Sequence, residues 1–411
     1  MADPQTDPMQ WVNALSTQPS LEAAVNEVVE QALSQLQAPA DLAMVFISSA
    51  FASEYSRLMP LLKAKLSVSV LIGCSGGGTI GVEVSGQVRE IEDAPALSLT
   101  LARLPGVNLH PFHIDSDDLP DLDGPPQRWA ELIGVPPEEN PSFILLSDAM
   151  SSGINDLLQG MDFAYPGAVK VGGMSTGPSL FGTGLFCNFE LYREGTVGLA
   201  LSGRVVLEAI VAQGCRPIGK PFRVVEGERN ILIKLEAQEA GASVCTPLEA
   251  LQELYQDLDA ADQELAQHSL FVGVAQSEFK QNLEPGDFLI RNMLGVDPRI
   301  GAIAIGDRVR PGQRIQFHLR DSQASADDLE ALLERYQKEH HGVQPVGALL
   351  FACAGRGEGL YDQPNFDSGL FRQYINRIPL SGFFCGGEIG PVGGSTFLHG
   401  YTSVFGICRE P

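Results

Sequence analysis

Short apolar runs alternate with longer amphipathic stretches along most of the chain, and the alternation returns three times in the same order. The first passage runs from LAMVFISS through EYSRLMPLLKAKL to SVSVLIG and then CSGGG. The second runs from SFILLSD through SSGINDLLQGMDFA to AVKVGG and MSTG, and the third from GALLFACAGRG through FDSGLFRQYINRI to PLSGFFCGGEIGPVGG. Apolar runs of about five to eight residues, rich in Val, Ile, Leu and Phe, predict strands buried on at least one face. The amphipathic stretches between them predict helices that cover a sheet. Glycines placed directly after a strand let the backbone turn sharply with no side chain above it.

Each unit continues into further extended segments: TIGVEVSGQV and ALSLTLARL, then GLFCNFELY and TVGLALSG, then HGYTSVFGI. A fourth, degenerate copy is expected in SLFVGVAQS, DFLIRNMLGV and GAIAIG. The pattern predicts an α/β (α+β) fold of mixed β-sheets flanked by helices, built from duplicated strand-helix-strand units in α/β/β/α layers. The turns at Gly76, Gly172 and Gly386 are expected at equivalent positions of those units.

A length of 411 residues is too great for one ordinary core and predicts two domains of roughly 200 residues each. We divide the chain into an extension with a first helix (1–40), a first domain (41–228) and a second (229–411). The helix TPLEALQELYQDL lies early in the second domain, with Thr246 and Pro247 suited to its N-cap and first helical position.

The charge balance narrows the partners. With 51 acidic against 27 basic residues the net charge is −24, and such a field repels nucleic-acid backbones and anionic lipid surfaces. The N-terminus has no basic segment followed by an apolar one, and no apolar run reaches the length of a membrane span. A cytoplasmic protein without nucleic-acid or membrane partners is the expectation. Seven scattered cysteines, never in CxxC spacing, argue against a disulfide framework and against a zinc knuckle.

At the glycine turns the sequence resembles a known family. VLIGCSGGGTIG, VKVGGMSTG and above all LSGFFCGGEIGPVGGSTFLHGYTSVFGI are similar to the signatures of the FIST N and FIST C domains of F-box and intracellular signal transduction proteins. The resemblance extends from about Asp41 to about Cys408. It implies a sensory module that binds a small ligand such as an amino acid. The residues before Asp41 are too few for an F-box, kinase or cyclase domain, so output is expected to pass through a separate signalling partner or a change in self-association.

The candidate ligand-binding residues cluster at these strand ends, and each carries a structural alternative. Glu388, in the turn formed with Cys385, Gly386 and Gly387, either accepts hydrogen bonds from a ligand ammonium or caps backbone N–H groups. Cys74, Ser75, Gly76 and Gly77 lead a run of glycines whose N–H groups can form a nest for a carboxylate. That run lacks the spacing and the terminal Lys-Ser/Thr of a phosphate loop. Ser147 and Asp148 end one strand, while Gly173 and Ser175 end its neighbour; strand ends of this kind form crevices. Ser147 and Asp148 are equally readable as caps of the following helix. Arg356 suits a bidentate contact with a ligand carboxylate or a surface ion pair. His399 and Tyr401 are expected on one strand, facing the same side, as pocket wall or as a half-buried polar stripe.

No metal and no cofactor is predicted, and no catalytic set accompanies the glycine turns. The expectation is therefore a ligand-binding sensor and not an enzyme. The alternative is a cysteine-dependent hydrolase or transferase with Cys74 or Cys385 as nucleophile.

Overall fold

The computed structural model describes residues 7–178, 182–238, 243–276, 280, 283, 285–375 and 378–411. The chain forms two compact units, one of Met1–Val211 with Leu332–Pro411 and one of Ala212–Ala331. The units do not follow the contiguous division at 228/229, because the second is inserted within the first. The first 40 residues also belong to the first unit: Gln10–Ser16 is a sheet strand, and the helix Leu21–Leu36 packs its Leu21, Val25, Val28 and Ala32 face on that sheet.

The first unit contains three six-stranded sheets with one shared plan. In the first sheet the order is Gln10–Ser16, Leu97–Arg103, Leu42–Ser48, Val70–Gly76, Leu185–Cys187, Glu190–Tyr192. In the second it is Val107–Ile114, Thr196–Gly203, Ser142–Ser147, Lys170–Met174, Glu388–Val392, Ser395–His399. In the third it is Val206–Ala212, Ser403–Arg409, Pro345–Cys353, Leu380–Cys385, Gly78–Val82, Val88–Glu92. A parallel pair lies at the centre of each, joined through a helix as a parallel crossover requires. The last two strands of every sheet form a hairpin that follows the parallel pair of a different sheet.

Mixed sheets flanked by helices are thus the architecture, as the pattern predicts. The layering differs from a two-sheet sandwich, because three sheets share one core. On Leu42–Ser48, Leu42, Met44 and Phe46 enter the common core, while Ala43, Val45 and Ile47 meet the helices outside. Ile144 and Leu146 of the second sheet and Leu349 and Phe351 of the third enter the same core. Both faces of these strands are buried, which is why they read as unbroken apolar runs.

The register places Gly73, Gly172 and Gly382 at equivalent positions, and not Gly76, Gly172 and Gly386. The cause is a close approach: a Cβ at Gly73, Gly172 or Gly382 would lie 2.0, 1.8 or 1.8 Å from the carbonyl oxygen of Val45, Leu145 or Leu350.

The second unit is a ring of six antiparallel strands, closed by pairing of Arg216–Glu228 with Ile231–Ala237, around Phe222, Val224, Leu235, Val272, Ile303 and Phe317. SLFVGVAQS, DFLIRNMLGV and GAIAIG supply three successive strands of this ring, so the expected fourth copy is not one. The turn from Asp297 to Ala302 is too short for the crossover that a parallel pair needs. The helix Pro247–Asp257 begins as predicted, with Thr246 Oγ1 accepting the Glu249 N–H at 3.2 Å and Glu249 accepting the Thr246 N–H at 2.8 Å.

Candidate functional site

The ends of the parallel pairs meet at one junction in the first unit. The Ser75 and Ser175 hydroxyls, both wholly buried, lie 2.9 Å apart; Ser75 also donates to the Thr176 carbonyl at 2.8 Å, and Ser175 to the Ser75 carbonyl at 2.9 Å. The third sheet joins through its glycines. Gly386 N–H donates to the Met174 carbonyl at 2.9 Å, Met174 N–H to the Gly387 carbonyl at 2.7 Å, and Gly77 N–H to the Phe384 carbonyl at 3.0 Å. Residues predicted from three separate turns, Ser75 to Gly77, Gly173 to Ser175 and Cys385 to Glu388, are therefore neighbours.

Thr176 was not singled out by the sequence reading, although it follows the predicted Ser175. Its Oγ1 is buried and has no hydrogen-bond partner among the described residues. Glycines flank it: a Cβ on Gly77 would lie 3.5 Å from Thr176 Oγ1, and one on Gly386 3.0 Å from its methyl group.

Glu388 is wholly buried and stands in register between Gly173 and His399. Its Oε2 accepts the Thr402 N–H at 2.9 Å. Burial, reinforced by the Glu388 carboxylate, pushes the neighbouring Cys385 thiol well above its ordinary range, and burial does the same to Cys74. The His399 Nε2 lies 3.0 Å from the Gly390 carbonyl, which fixes that nitrogen as the protonated donor. Tyr401 does not share a strand face with His399. The strand ends at His399, and Tyr401 takes a left-handed φ of 63°, which breaks the period of two.

Arg356 and Asp148 turn inward to partners of this chain. The Arg356 guanidinium is 1% exposed and grips Asp367 bidentately at 2.8 and 3.0 Å; it also contacts the Tyr361 hydroxyl and the Tyr401 carbonyl. Ser403 Oγ donates to the same Asp367 carboxylate at 2.5 Å. Asp148 accepts the Gly195 N–H at 2.7 Å and the Met150 N–H at 2.8 Å, while Ser147 Oγ accepts from Thr196 Oγ1 at 2.9 Å. The next helix starts at Ile154 with Gly153 as its N-cap, so neither Ser147 nor Asp148 caps it. Among the described residues no group of three or more His, Cys, Asp or Glu side chains is placed to hold a metal, and no helix is long and apolar enough to cross a membrane.

Glu90 belongs to the same buried network. Its Oε1 accepts the Ser368 N–H at 2.7 Å, and burial, followed by the nearby Asp367 charge, pushes its pKa up to about 7. A carboxyl group raised in this way disfavours the fold when ionised. The penalty is absent below the unfolded value of about 4.3 and complete above about 7. Glu90→Gln keeps an oxygen for Ser368 and removes the charge. It is expected to be more stable than the wild type by on the order of 2 kcal/mol near pH 8, with the gain vanishing near pH 4. Urea unfolding across that range checks this; a gain that does not vary with pH contradicts it. The signal for Glu90 was present in the sequence: it keeps the inward phase of Val88 on the strand Val88–Glu92.

A separate open cleft of about 540 Å³ lies at the opposite end of Leu380–Cys385, between Asn13, Val82, Gln87, Arg372 and Pro379. None of the predicted residues lines it.

Comparison with known proteins agrees with the motif at the junction. The FIST N domain matches residues 41–238 and the FIST C domain residues 247–391. An uncharacterized protein of Mycobacterium tuberculosis is 33% identical over 394 residues, covering 95% of this chain and 97% of the relative. One of Mycobacterium bovis is 32% identical over 391 residues, covering 94% and 95%. Among solved structures, a cyanuric acid hydrolase from A. caulinodans aligns over 97% of this chain and 99% of its own at 10% identity, with a TM-score of 0.37. The chain belongs to the FIST family, whose domains are associated with signal transduction and small-ligand sensing.

Proposed function

We propose that this chain is a cytoplasmic sensor that binds a small metabolite of the amino-acid class at the strand-end junction and signals through a separate protein partner. The observation that carries the reading is the buried Thr176 hydroxyl, without a partner among the described residues and flanked by Gly77 and Gly386. Glycines there admit a ligand close to the backbone. The Thr176 hydroxyl suits a carboxylate, and Glu388 suits an ammonium. A binding role also accords with Cys74, since burial holds it as a thiol and attack on a substrate needs a thiolate.

A thermal-shift screen of the free amino acids and related amines tests the reading. A ligand at 100 times its Kd adds about 2.7 kcal/mol of stability. For a compound so found, Thr176→Val should weaken binding by about 0.5–1.5 kcal/mol and Glu388→Gln by about 1.5–3 kcal/mol in calorimetric titration. A screen without any shift, or variants that bind as tightly as the wild type, would sink the proposal.

A further inference from the structure

Cys353 and Cys385 are register partners at the ends of the parallel strands Pro345–Cys353 and Leu380–Cys385. Phe351 and Phe383, each two residues earlier, both enter the common core, so both cysteines point to the same face. Neighbouring strands lie about 4.8 Å apart, within the range of about 4.4–6.8 Å that Cα atoms span across a disulfide. The other cysteines lack this relation: Cys74 is in register with Phe46 and Leu185. The two thiols also differ in access. Cys385 is wholly buried, whereas Cys353 is half-buried, and its sulfur accepts the Gly355 N–H at 3.5 Å.

We propose that Cys353 and Cys385 form an oxidisable dithiol that a peroxide converts to a disulfide across the parallel strand pair. The Cys353 sulfur attacks one peroxide oxygen, the O–O bond breaks, and a sulfenic acid and one water result. The Cys385 sulfur then attacks the Cys353 sulfur. The S–S bond forms as the S–O bond breaks, and the departing hydroxide takes the Cys385 proton as a second water. Two thiols lose two electrons in total, and one hydrogen peroxide is reduced to two waters. The inference stands on strand register and does not depend on the ligand reading, although its product lies beside the junction. Cys385 runs directly into Gly386 and Gly387, and its carbonyl accepts the Ala354 N–H at 2.9 Å. A disulfide there ties the two strand ends that frame the third glycine turn.

The test is treatment of the full, folded chain with hydrogen peroxide, alkylation of the remaining thiols, and non-reducing peptide mass spectrometry. The expected result is a loss of about 2 Da, a single cross-link between the peptides holding Cys353 and Cys385, and its reversal by dithiothreitol. In Cys385→Ser the chemistry should stop at a Cys353 sulfenic acid that dimedone traps, and Cys353→Ser should show neither product. The wild-type experiment decides alone if either variant misfolds. A cross-link between any other pair, or recovery of both cysteines alkylated after peroxide, overturns the proposal.

Discussion

Replacing Asp367 by Ala is expected to lower folding stability by about 3–5 kcal/mol, because it strands a buried guanidinium. Arg356 is 1% exposed, and its strongest contacts are the two hydrogen bonds to Asp367. Tyr361 and Ser403 would lose an acceptor in the same step. Removing both charges at once, as Arg356→Met with Asp367→Leu, should cost much less, since no unpaired ion remains. The pH dependence follows from the carboxyl group. Burial is the largest influence and raises its pKa, but the Arg356 charge and the hydrogen bonds outweigh it, and the group ends below its ordinary value. A depressed folded pKa gives stability that is full above the unfolded value and lost as pH falls through the folded one. Wild type and Asp367→Ala should therefore converge in acid. Urea unfolding at neutral and at acid pH measures the gap; a gap that is constant, or wider in acid, contradicts the account.

Asp162→Ala should cost a similar amount, about 3–5 kcal/mol, with the opposite pH sense. Lys170 is wholly buried, and its Nζ donates to Asp162 at 2.8 Å and to the Ala168 carbonyl at 3.1 Å. Asp162 in turn accepts the Thr396 N–H at 2.6 Å and the Thr396 hydroxyl at 2.8 Å, binding a hairpin of the second sheet to the helix Ile154–Ala164. Burial lowers the Lys170 pKa, and Asp162 opposes that shift. An amine whose folded pKa is depressed costs stability while charged and is relieved as pH rises through that pKa. Without Asp162 the charged form has less support. The deficit of the variant should shrink from neutral toward alkaline pH, as melting temperatures over that range will show. A deficit independent of pH would mean that the Thr396 contacts, and not the ammonium, account for the loss.

Much of the fold was legible because the three parallel pairs carry long apolar runs with a helix of the right length between them. Alternation along Leu42–Ser48 or Val88–Glu92 says which side chains share a face. It says nothing about which distant strand lies alongside, and so the exchange of hairpins among the sheets was hidden. The inserted ring was hidden for the same reason: strands such as Arg314–Leu319 alternate polar and apolar residues, which tells their faces apart but not their neighbours. At the candidate site the glycine turns were found, and the structure brings three of them together. What the sequence reading lacked were partners chosen by tertiary contact. Arg356 meets Asp367 from the helix Phe366–Tyr374, and Glu388 meets the backbone of Thr402. Tyr401 escaped because a single left-handed residue resets the facing of everything after it.

The exchange of hairpins sets a timetable for the newly made chain. The hairpin Gly78–Val82 with Val88–Glu92 completes a sheet whose nearest strand is Leu380–Cys385, roughly 290 residues further on, and ribosomes add about 5–20 residues per second. For something like 15–60 seconds that hairpin must wait with its edge unpaired, exposed to other strands and to chaperones. Contacts this distant in sequence also make closure slow once synthesis ends. Yield in the cell should therefore depend on what shields an early hairpin more than on the final stability of the sheet it completes.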